Sequence, residues 1–193
     1  LLHAAGLMTP AHGSCRVFGC ETDSFDDTHM AERLRVGFVF AGGKLFNHLT
    51  VAENVALPLR YQKELSAAEA AGVVGTLLES LELTPLADST PANLTASWRQ
   101  RAALARTLVL KPELLLLDNP LAGLGVRHRH WLQQFLDQLW RGHDWFDGRP
   151  LTLAVATDDL RPWRNPDRKF AVLDEQTFAV LGSCHKVEFA QNR

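Results

Sequence analysis

Asp118 is the residue whose type and position most directly suggest chemistry. It closes an apolar run of four leucines, residues 114–117, that shows no alternation with polar residues. Such a run predicts a parallel strand buried on both faces. A carboxylate at its end is the kind of ligand that a hard cation such as Mg²⁺ prefers. An aspartate after a buried strand is also common in proteins that bind no metal, so this run alone leaves both interpretations open.

Two neighbouring segments make the pattern specific. Residues 94–101 spell LTASWRQR, and residues 112–120 spell PELLLLDNP. They resemble the signature helix and the Walker B strand of ATP-binding cassette (ABC) ATPases, where the patterns are roughly LSGGQRQR and LLLLDEP. Residues 49–59, LTVAENVALPL, are similar to the LTVxENVxxPL that follows the Q-loop in the same family. The resemblance covers residues 1–182.

The resemblance implies an architecture and an activity. It implies an α/β fold of the P-loop NTPase type, an ABC ATPase sandwich with a parallel core sheet and a helical subdomain inserted at about residues 49–110. Residues 1–193 would form one partial domain. The implied function is that of the ATP-binding subunit of an ABC transporter, with ATP and Mg²⁺ as cofactors. Residues 54–61 are most similar to ATPases of Mce/Mla-type lipid-transport systems.

The resemblance also implies partners and site residues. Such subunits work as head-to-tail homodimers or heterodimers on a membrane-spanning subunit, at the cytoplasmic face of the cell membrane. Asp118 matches the residue that holds Mg²⁺. Thr95, Ala96 and Ser97 occupy the positions of the signature residues that face the nucleotide of the partner subunit through a helix amino terminus.

Several positions depart from the family pattern. The Q-loop glutamine is Ala41, and a methyl group can place neither Mg²⁺ nor water. The glutamate that serves as general base is Asn119, and an amide cannot accept a proton from water at neutral pH. The switch histidine is Asp158, and the D-loop aspartate is Gly125. In the signature, the two glycines are Ala96 and Ser97, and the glutamine is Trp98. These changes support an alternative function, that of a catalytically degenerate pseudo-ATPase acting as the structural or regulatory half of a heterodimer.

The sequence contains no phosphate-binding loop of the form G-x-x-x-x-G-K-[ST]. Gly43-Lys44 is only a superficial match, because position 38 is Phe and position 45 is Leu. In the family the loop precedes the helix that residues 1–7 resemble, so the first strands and the loop are expected to lie before Leu1. We therefore predict that these 193 residues alone neither bind ATP tightly nor hydrolyse it.

Periodicity predicts alternating strands and helices. A Thr50–Glu53 capping box opens a helix that should end near Pro58. The other predicted helices are residues 66–83, 98–110 and 126–141. The predicted strands are residues 15–19, 36–40, 114–117, 151–156 and 170–173, with an edge hairpin at 178–181, and residues 21–29 form a loop.

Composition excludes several classes of protein. The net charge is −2, which argues against nucleic-acid binding and against the third alternative, an ABC protein that acts on ribosomes or DNA. The three cysteines have no paired spacing, as expected for a reducing compartment without a cysteine metal site. No apolar run reaches the roughly 18 residues of a membrane span, and no signal peptide is predicted. The RHRH segment, residues 127–130, is interpreted as a solvated helix face in preference to a metal or phosphate patch. The five tryptophans are interpreted as core and subunit contacts.

Overall fold

The fold is seen in a computed structural model, which describes residues 1–24, 35–61, 65–173 and 178–183. The strands are β1 (Arg16–Val17), β2 (Cys20–Glu21), β3 (Val36–Val39), β4 (Leu114–Asp118), β5 (Thr152–Ala156), β6 (Phe170–Leu173) and β7 (Phe178–Gly182). The α-helices are α1 (Val51–Tyr61), α2 (Ala67–Ser80), α3 (Ala96–Leu108) and α4 (Val126–Arg141). Short 3₁₀ helices occupy Thr22–Ser24, Thr84–Leu86, Pro91–Asn93, Asp144–Phe146 and Arg161–Trp163.

The chain divides into two compact units, Leu1–Ala156 and Thr157–Arg193. The core of the first unit is a parallel sheet in the order β3-β4-β5, with the leucine-rich β4 in the centre. Leu115, Leu116 and Leu117 are buried, as expected for a strand covered on both faces. In the second unit, β6 and β7 pair as an antiparallel hairpin. The predicted α/β class with a parallel core sheet is confirmed.

The helices between β3 and β4 pack on one another and on the sheet. Helix α1 contacts both α2 and α3, and α3 contacts β3. Buried leucines fill this region, among them Leu77, Leu81 and Leu104. The region coincides with the predicted helical insertion, while its status as a separate subdomain stays a prediction.

Helix boundaries differ from the predicted ones for local reasons. Helix α1 continues past Pro58 to Tyr61, because a proline removes one helical hydrogen bond without forbidding the next turn, and buried Leu59 holds that turn in the core. Helix α2 stops at Ser80, since Glu82 adopts a left-handed φ of 57°. Helix α3 begins two residues earlier than predicted, directly after the extended Thr95. It ends at Leu108, ahead of a left-handed Lys111.

Three other predictions can be compared with the structure. The strand predicted at residues 15–19 is a hairpin, because Phe18 and Gly19 both have positive φ and form the turn between β1 and β2. Residues 1–7 have the hydrogen bonds of a helix carboxyl terminus, as predicted: Leu7 N–H donates to Leu2 O at 3.0 Å and Gly6 N–H to His3 O at 3.1 Å, with Gly6 left-handed. Of the loop predicted at 21–29, residues 25–29 lie outside the described part.

Among the described residues, no helix is both long and apolar enough to cross a membrane. Trp145 lies in the 3₁₀ helix Asp144–Phe146, and its indole N–H donates to Leu108 O at 2.9 Å.

Candidate functional site

Asp118 and Asn119 lie where the central strand ends. Asp118 is the last residue of β4, is half-buried, and pairs in register with Ala156 of β5. The next residue, Asn119, turns the chain with a left-handed φ of 43°, and its N–H donates to Ala156 O at 2.8 Å. Asn tolerates this conformation better than most residues with a side chain. The backbone therefore fixes the Asp118 carboxyl group at the carboxyl-terminal edge of the sheet.

The turn after β3 reaches the same edge, because β3 and β4 are parallel. It contains Ala41 and the left-handed Gly42 and Gly43. Gly43 lies so close to α3 that an added Cβ would meet Arg99 O at 2.4 Å. The hydroxyl of Thr107 in α3 donates to Phe38 O at 3.2 Å. The turn that begins at the Q-loop position is thus packed, through Gly43, on the backbone of the signature helix.

The segment that follows this turn is held by one amide side chain. Asn54 is fully buried. It accepts a hydrogen bond from Phe46 N–H at 2.9 Å and donates to the carbonyls of Phe46, Leu49 and Thr50 at 3.1, 3.1 and 2.9 Å. Because it forms hydrogen bonds with backbone groups of Phe46 and Leu49, which precede helix α1, Asn54 fixes the loop between the turn and α1.

The amino terminus of the signature helix α3 carries the three predicted nucleotide-facing residues. Thr95 is exposed and extended, and among the described residues its side chain forms no capping hydrogen bond. Ala96 is half-buried. Ser97 is only 8% exposed, and its side chain lines a narrow pocket with Leu124 and His128. A contact of Ser97 with a nucleotide would therefore use its backbone N–H.

A group of side chains that the sequence did not single out joins α3 to α4. The Arg101 cluster consists of Arg101, Trp98, His128, Trp131 and Glu82. The Arg101 guanidinium carbon lies 3.5 Å from the Trp131 ring centroid and 4.7 Å from that of Trp98. Its Nη1 donates to Glu82 Oε2 at 2.8 Å, and its Nη2 lies 3.5 Å from His128 Nδ1. The Trp98 and His128 rings meet edge to face at 5.3 Å.

The Arg101 cluster gives the unusual Trp98 a structural role. Where the family signature has glutamine, this chain directs an indole onto Arg101 and toward α4. Burial lowers the pKa of Arg101, and the Glu82 carboxylate opposes that effect. The sequence indicates one part of this cluster, the pairs that share a helix face. Trp98 and Arg101 are three residues apart, as are His128 and Trp131, and this spacing places each pair on one face of its helix.

The remaining predicted positions are exposed. Gly125 precedes α4 as its N-cap. Arg127, Arg129 and His130 are exposed, in agreement with a solvated face, whereas His128 belongs to the Arg101 cluster. Asp158 is exposed in the second compact unit, beside an Asp159 that pairs with Arg161 at 2.8 Å.

Asp118 fits a role in holding Mg²⁺ together with substrate phosphates but not, within the part of the chain that the structure describes, as part of a site built from protein ligands alone. Among the described residues, no group of three or more His, Cys, Asp or Glu side chains could hold a metal ion. Mg²⁺ in phosphoryl-transfer sites, however, is held by one or two carboxylates together with substrate phosphates. A half-buried carboxyl group at the sheet edge is compatible with that mode, and Ala41 adds no ligand to it.

Comparisons with known proteins agree with this arrangement. The chain is 35% identical over 186 residues to the sulfate/thiosulfate import ATP-binding protein CysA of Methylococcus capsulatus. The aligned region covers 95% of this chain and 51% of that protein. It is 39% identical over 140 residues to CysA of Escherichia coli, covering 70% of this chain and 37% of the relative. The chain thus spans about half or less of the length of these relatives.

Solved structures give the same result. The dimeric, post-hydrolysis ATP-binding cassette MJ0796 bound to ADP and Pi superposes with a TM-score of 0.70 and 30% identity, over 83% of this chain and 68% of that one. A second dimeric structure of MJ0796, a bacterial ABC transporter cassette, gives a TM-score of 0.68 at 29% identity, over 82% and 68% of the two chains. The family model described as ABC transporter matches residues 1–122, and the chain belongs to this family.

Proposed function

We propose that this chain is the ATP-binding part of an ABC transporter subunit, acting as a dimer with another ATPase subunit and on a membrane-spanning partner. The observation that carries the proposal is the packing of Gly43, in the turn after β3, on the backbone of α3, beside the edge where β4 ends in Asp118. That packing holds the turn after the Q-loop position against the signature helix, at the sheet edge where the Walker B carboxylate lies. In this proposal residues 49–110 are the helical subdomain, and the protein works at the cytoplasmic face of the membrane.

Each site residue has a role in this proposal. The Asp118 carboxylate binds Mg²⁺, which would neutralise phosphate charge when bound. Exposed Thr95 and the backbone N–H groups of Ala96 and Ser97 face the nucleotide held by the partner subunit. Trp98 does not take part in that contact directly, because its ring stacks within the Arg101 cluster.

The relatives favour import as the direction of transport. Those compared here are named sulfate/thiosulfate import proteins. We therefore propose an importer, in preference to the lipid transport predicted from residues 54–61. The transported substrate contacts the membrane partner, so this chain's own residues do not choose it.

A second candidate function is a pseudo-ATPase that completes a heterodimer. Specific residues favour it: the Ala41 methyl group cannot place water, the Asn119 amide cannot deprotonate water, and Gly125 and Asp158 depart from the family pattern. The measurement that separates the two functions is ATP turnover by the natural gene product with its partners. Turnover equal to that of a relative with the usual glutamate would reject the pseudo-ATPase, whereas a large gain on Asn119→Glu would support it.

The signature role is tested by association with a subunit that supplies a phosphate loop. The purified chain is mixed with the Methylococcus capsulatus relative, and complex formation is measured by sedimentation with and without Mg-ATP. We expect a 1:1 complex that Mg-ATP strengthens at least about tenfold, which corresponds to about 1.4 kcal/mol. Ala96→Asp should abolish the gain, because a carboxylate at this helix terminus would repel phosphate.

The matched control is Asn93→Asp, which adds the same charge at an exposed position in the preceding 3₁₀ helix. Equal association of the Ala96→Asp and Asn93→Asp proteins, or no dependence on Mg-ATP, would contradict the proposed contact. A separate calorimetric titration checks the chain alone. Micromolar binding of Mg-ATP by these 193 residues would be incompatible with our prediction that they do not bind it tightly.

A further inference from the structure

The Arg101 cluster contains one group that changes its charge near neutral pH. Arg101 is only 5% exposed, yet its cation is held between two indole rings, with Glu82 on one side and His128 on another. His128 presents Nδ1 to Arg101 Nη2 at 3.5 Å. Since a guanidinium only donates hydrogen bonds, this contact requires an Nδ1 that accepts, and only neutral imidazole has an accepting nitrogen.

Protonation of His128 would reverse the character of this contact. An imidazolium offers two donors and a positive charge to a guanidinium that also carries a positive charge. The charged groups that face His128 are Arg101 from α3, Glu82 from the turn after α2, and Arg127 from its own helix. Two cations therefore oppose one anion, and that anion is already paired with Arg101 at 2.8 Å.

We propose that His128 is a pH-dependent positioning residue for the signature helix: as neutral imidazole it holds Arg101 and Trp98 against α4, and its protonation releases them. The proposal goes beyond ATP binding and does not need it. Only its consequence, a signature terminus that is less well held in acid, rests on the proposed function. The position explains why an otherwise solvated RHRH segment has one half-buried member.

The direction of the titration follows from the surroundings. Burial lowers the pKa of His128 below its ordinary value of 6.5, and Arg101 and Arg127 lower it further, while Glu82 raises it. The unfolded chain therefore takes up a proton on this histidine before the folded chain does. The stabilising contact is complete above about pH 6.5 and is lost as the pH falls from there through the lower pKa of the folded state.

Trp98 provides a direct measurement, because its release from the Arg101 cluster would expose the indole to water, which lowers its fluorescence. The nucleotide-free chain is titrated from pH 7.5 to 5 while tryptophan emission is recorded. We expect a decrease with a midpoint below 6.5 that is lost in His128→Gln and in Trp98→Phe. His130→Gln is the matched control, since His130 lies on the same helix but is exposed, and it should keep the full change.

A transition of undiminished amplitude in His128→Gln or in Trp98→Phe would overturn the proposal. Glu82→Gln gives an independent test, because removing the carboxylate should shift the midpoint to lower pH. A midpoint that stays or rises in Glu82→Gln would also overturn it. Glu82 is largely exposed, so this variant tests the proposal even if His128→Gln fails to fold. Since no nucleotide or partner is present, the result is independent of the proposed transport function.

Discussion

Helices α1 and α3 both start directly after a threonine, yet their first turns are held in opposite ways. At α1, the Thr50 N–H donates to Glu53 Oε2 at 2.8 Å and the Glu53 N–H donates to Thr50 Oγ1 at 3.2 Å. This is a complete capping box. At α3, no capping bond from the Thr95 side chain is found among the described residues. The helix end that carries the signature therefore leaves its first N–H groups without a side-chain cap.

The first turn of α3 is held by contacts other than a side-chain cap on its N–H groups. The Arg99 side chain donates to Leu94 O at 2.6 Å, and the Gly43 backbone packs on Arg99. Ser97 is buried toward α4. The difference shows that a helix end can be positioned without consuming its own N–H groups, provided that neighbouring elements supply the contacts. Such an arrangement suits a terminus proposed to meet phosphate.

The largest expected effect comes from breaking the outside support of α3. Gly43→Ala should lower the free energy of unfolding by about 3 kcal/mol. About 1–2 kcal/mol of this comes from a side chain in left-handed conformation, and the rest from overpacking against the Arg99 carbonyl. Urea denaturation followed by circular dichroism would measure the change.

Gly42→Ala is the matched control for that experiment. Gly42 is also left-handed, but an added Cβ would meet no atom of the described residues within 4 Å. It should therefore cost only the conformational part, about 1–2 kcal/mol. Equal losses for the two variants would mean that the close approach to Arg99 does not hold the signature helix.

The next effect concerns the α1 side of the comparison. Asn54→Ala should cost about 2 kcal/mol, because it leaves the Phe46 N–H without its acceptor and removes a donor from three carbonyls. Asn47→Ala removes the same side chain from an exposed position and should be nearly neutral. Thermal unfolding of both variants measures the difference, and a neutral Asn54→Ala would show that the loop before α1 is held by other contacts.

Local sequence signals predicted much of this fold and less of the site. The capping box at Thr50 and the buried strand ending in Asp118 were predictable, because each depends on residues within one turn or one strand. The predicted end of α1, near Pro58, was wrong, since burial of Leu59 outweighs the preference of Pro58 for a helix boundary. The Arg101 cluster could not be predicted, because it requires knowing that α3 and α4 are adjacent.

A smaller effect tests the two threonines against each other. Thr50→Ala should cost about 1 kcal/mol, the usual value of an N-cap side chain. Thr95→Ala should change the free energy of unfolding by less than about 0.5 kcal/mol, as expected for an exposed side chain that forms no capping hydrogen bond within the described part of the chain. Denaturation midpoints of the two variants give the comparison. A cost for Thr95→Ala as large as that for Thr50→Ala would mean that the Thr95 side chain also stabilises the first turn of its helix.

The smallest expected effect is the pH dependence of the stability that the Thr50–Glu53 capping box contributes. The Thr50 backbone N–H and then its hydroxyl group stabilise the ionised Glu53 carboxylate, so the pKa of Glu53 lies below its ordinary value of 4.5. A carboxyl group with a lowered pKa stabilises the fold above that ordinary value, and this contribution is lost as the pH falls through the folded pKa. Wild type should therefore exceed Glu53→Gln in stability at pH 6, and the difference should shrink as the pH falls through the folded pKa of Glu53. Glu79→Gln, at an exposed site late in α2, removes the same charge without a cap and should follow wild type throughout. If the Glu53→Gln and wild-type curves stay parallel down to pH 3, the cap acts through the geometry of its hydrogen bonds and not through its charge.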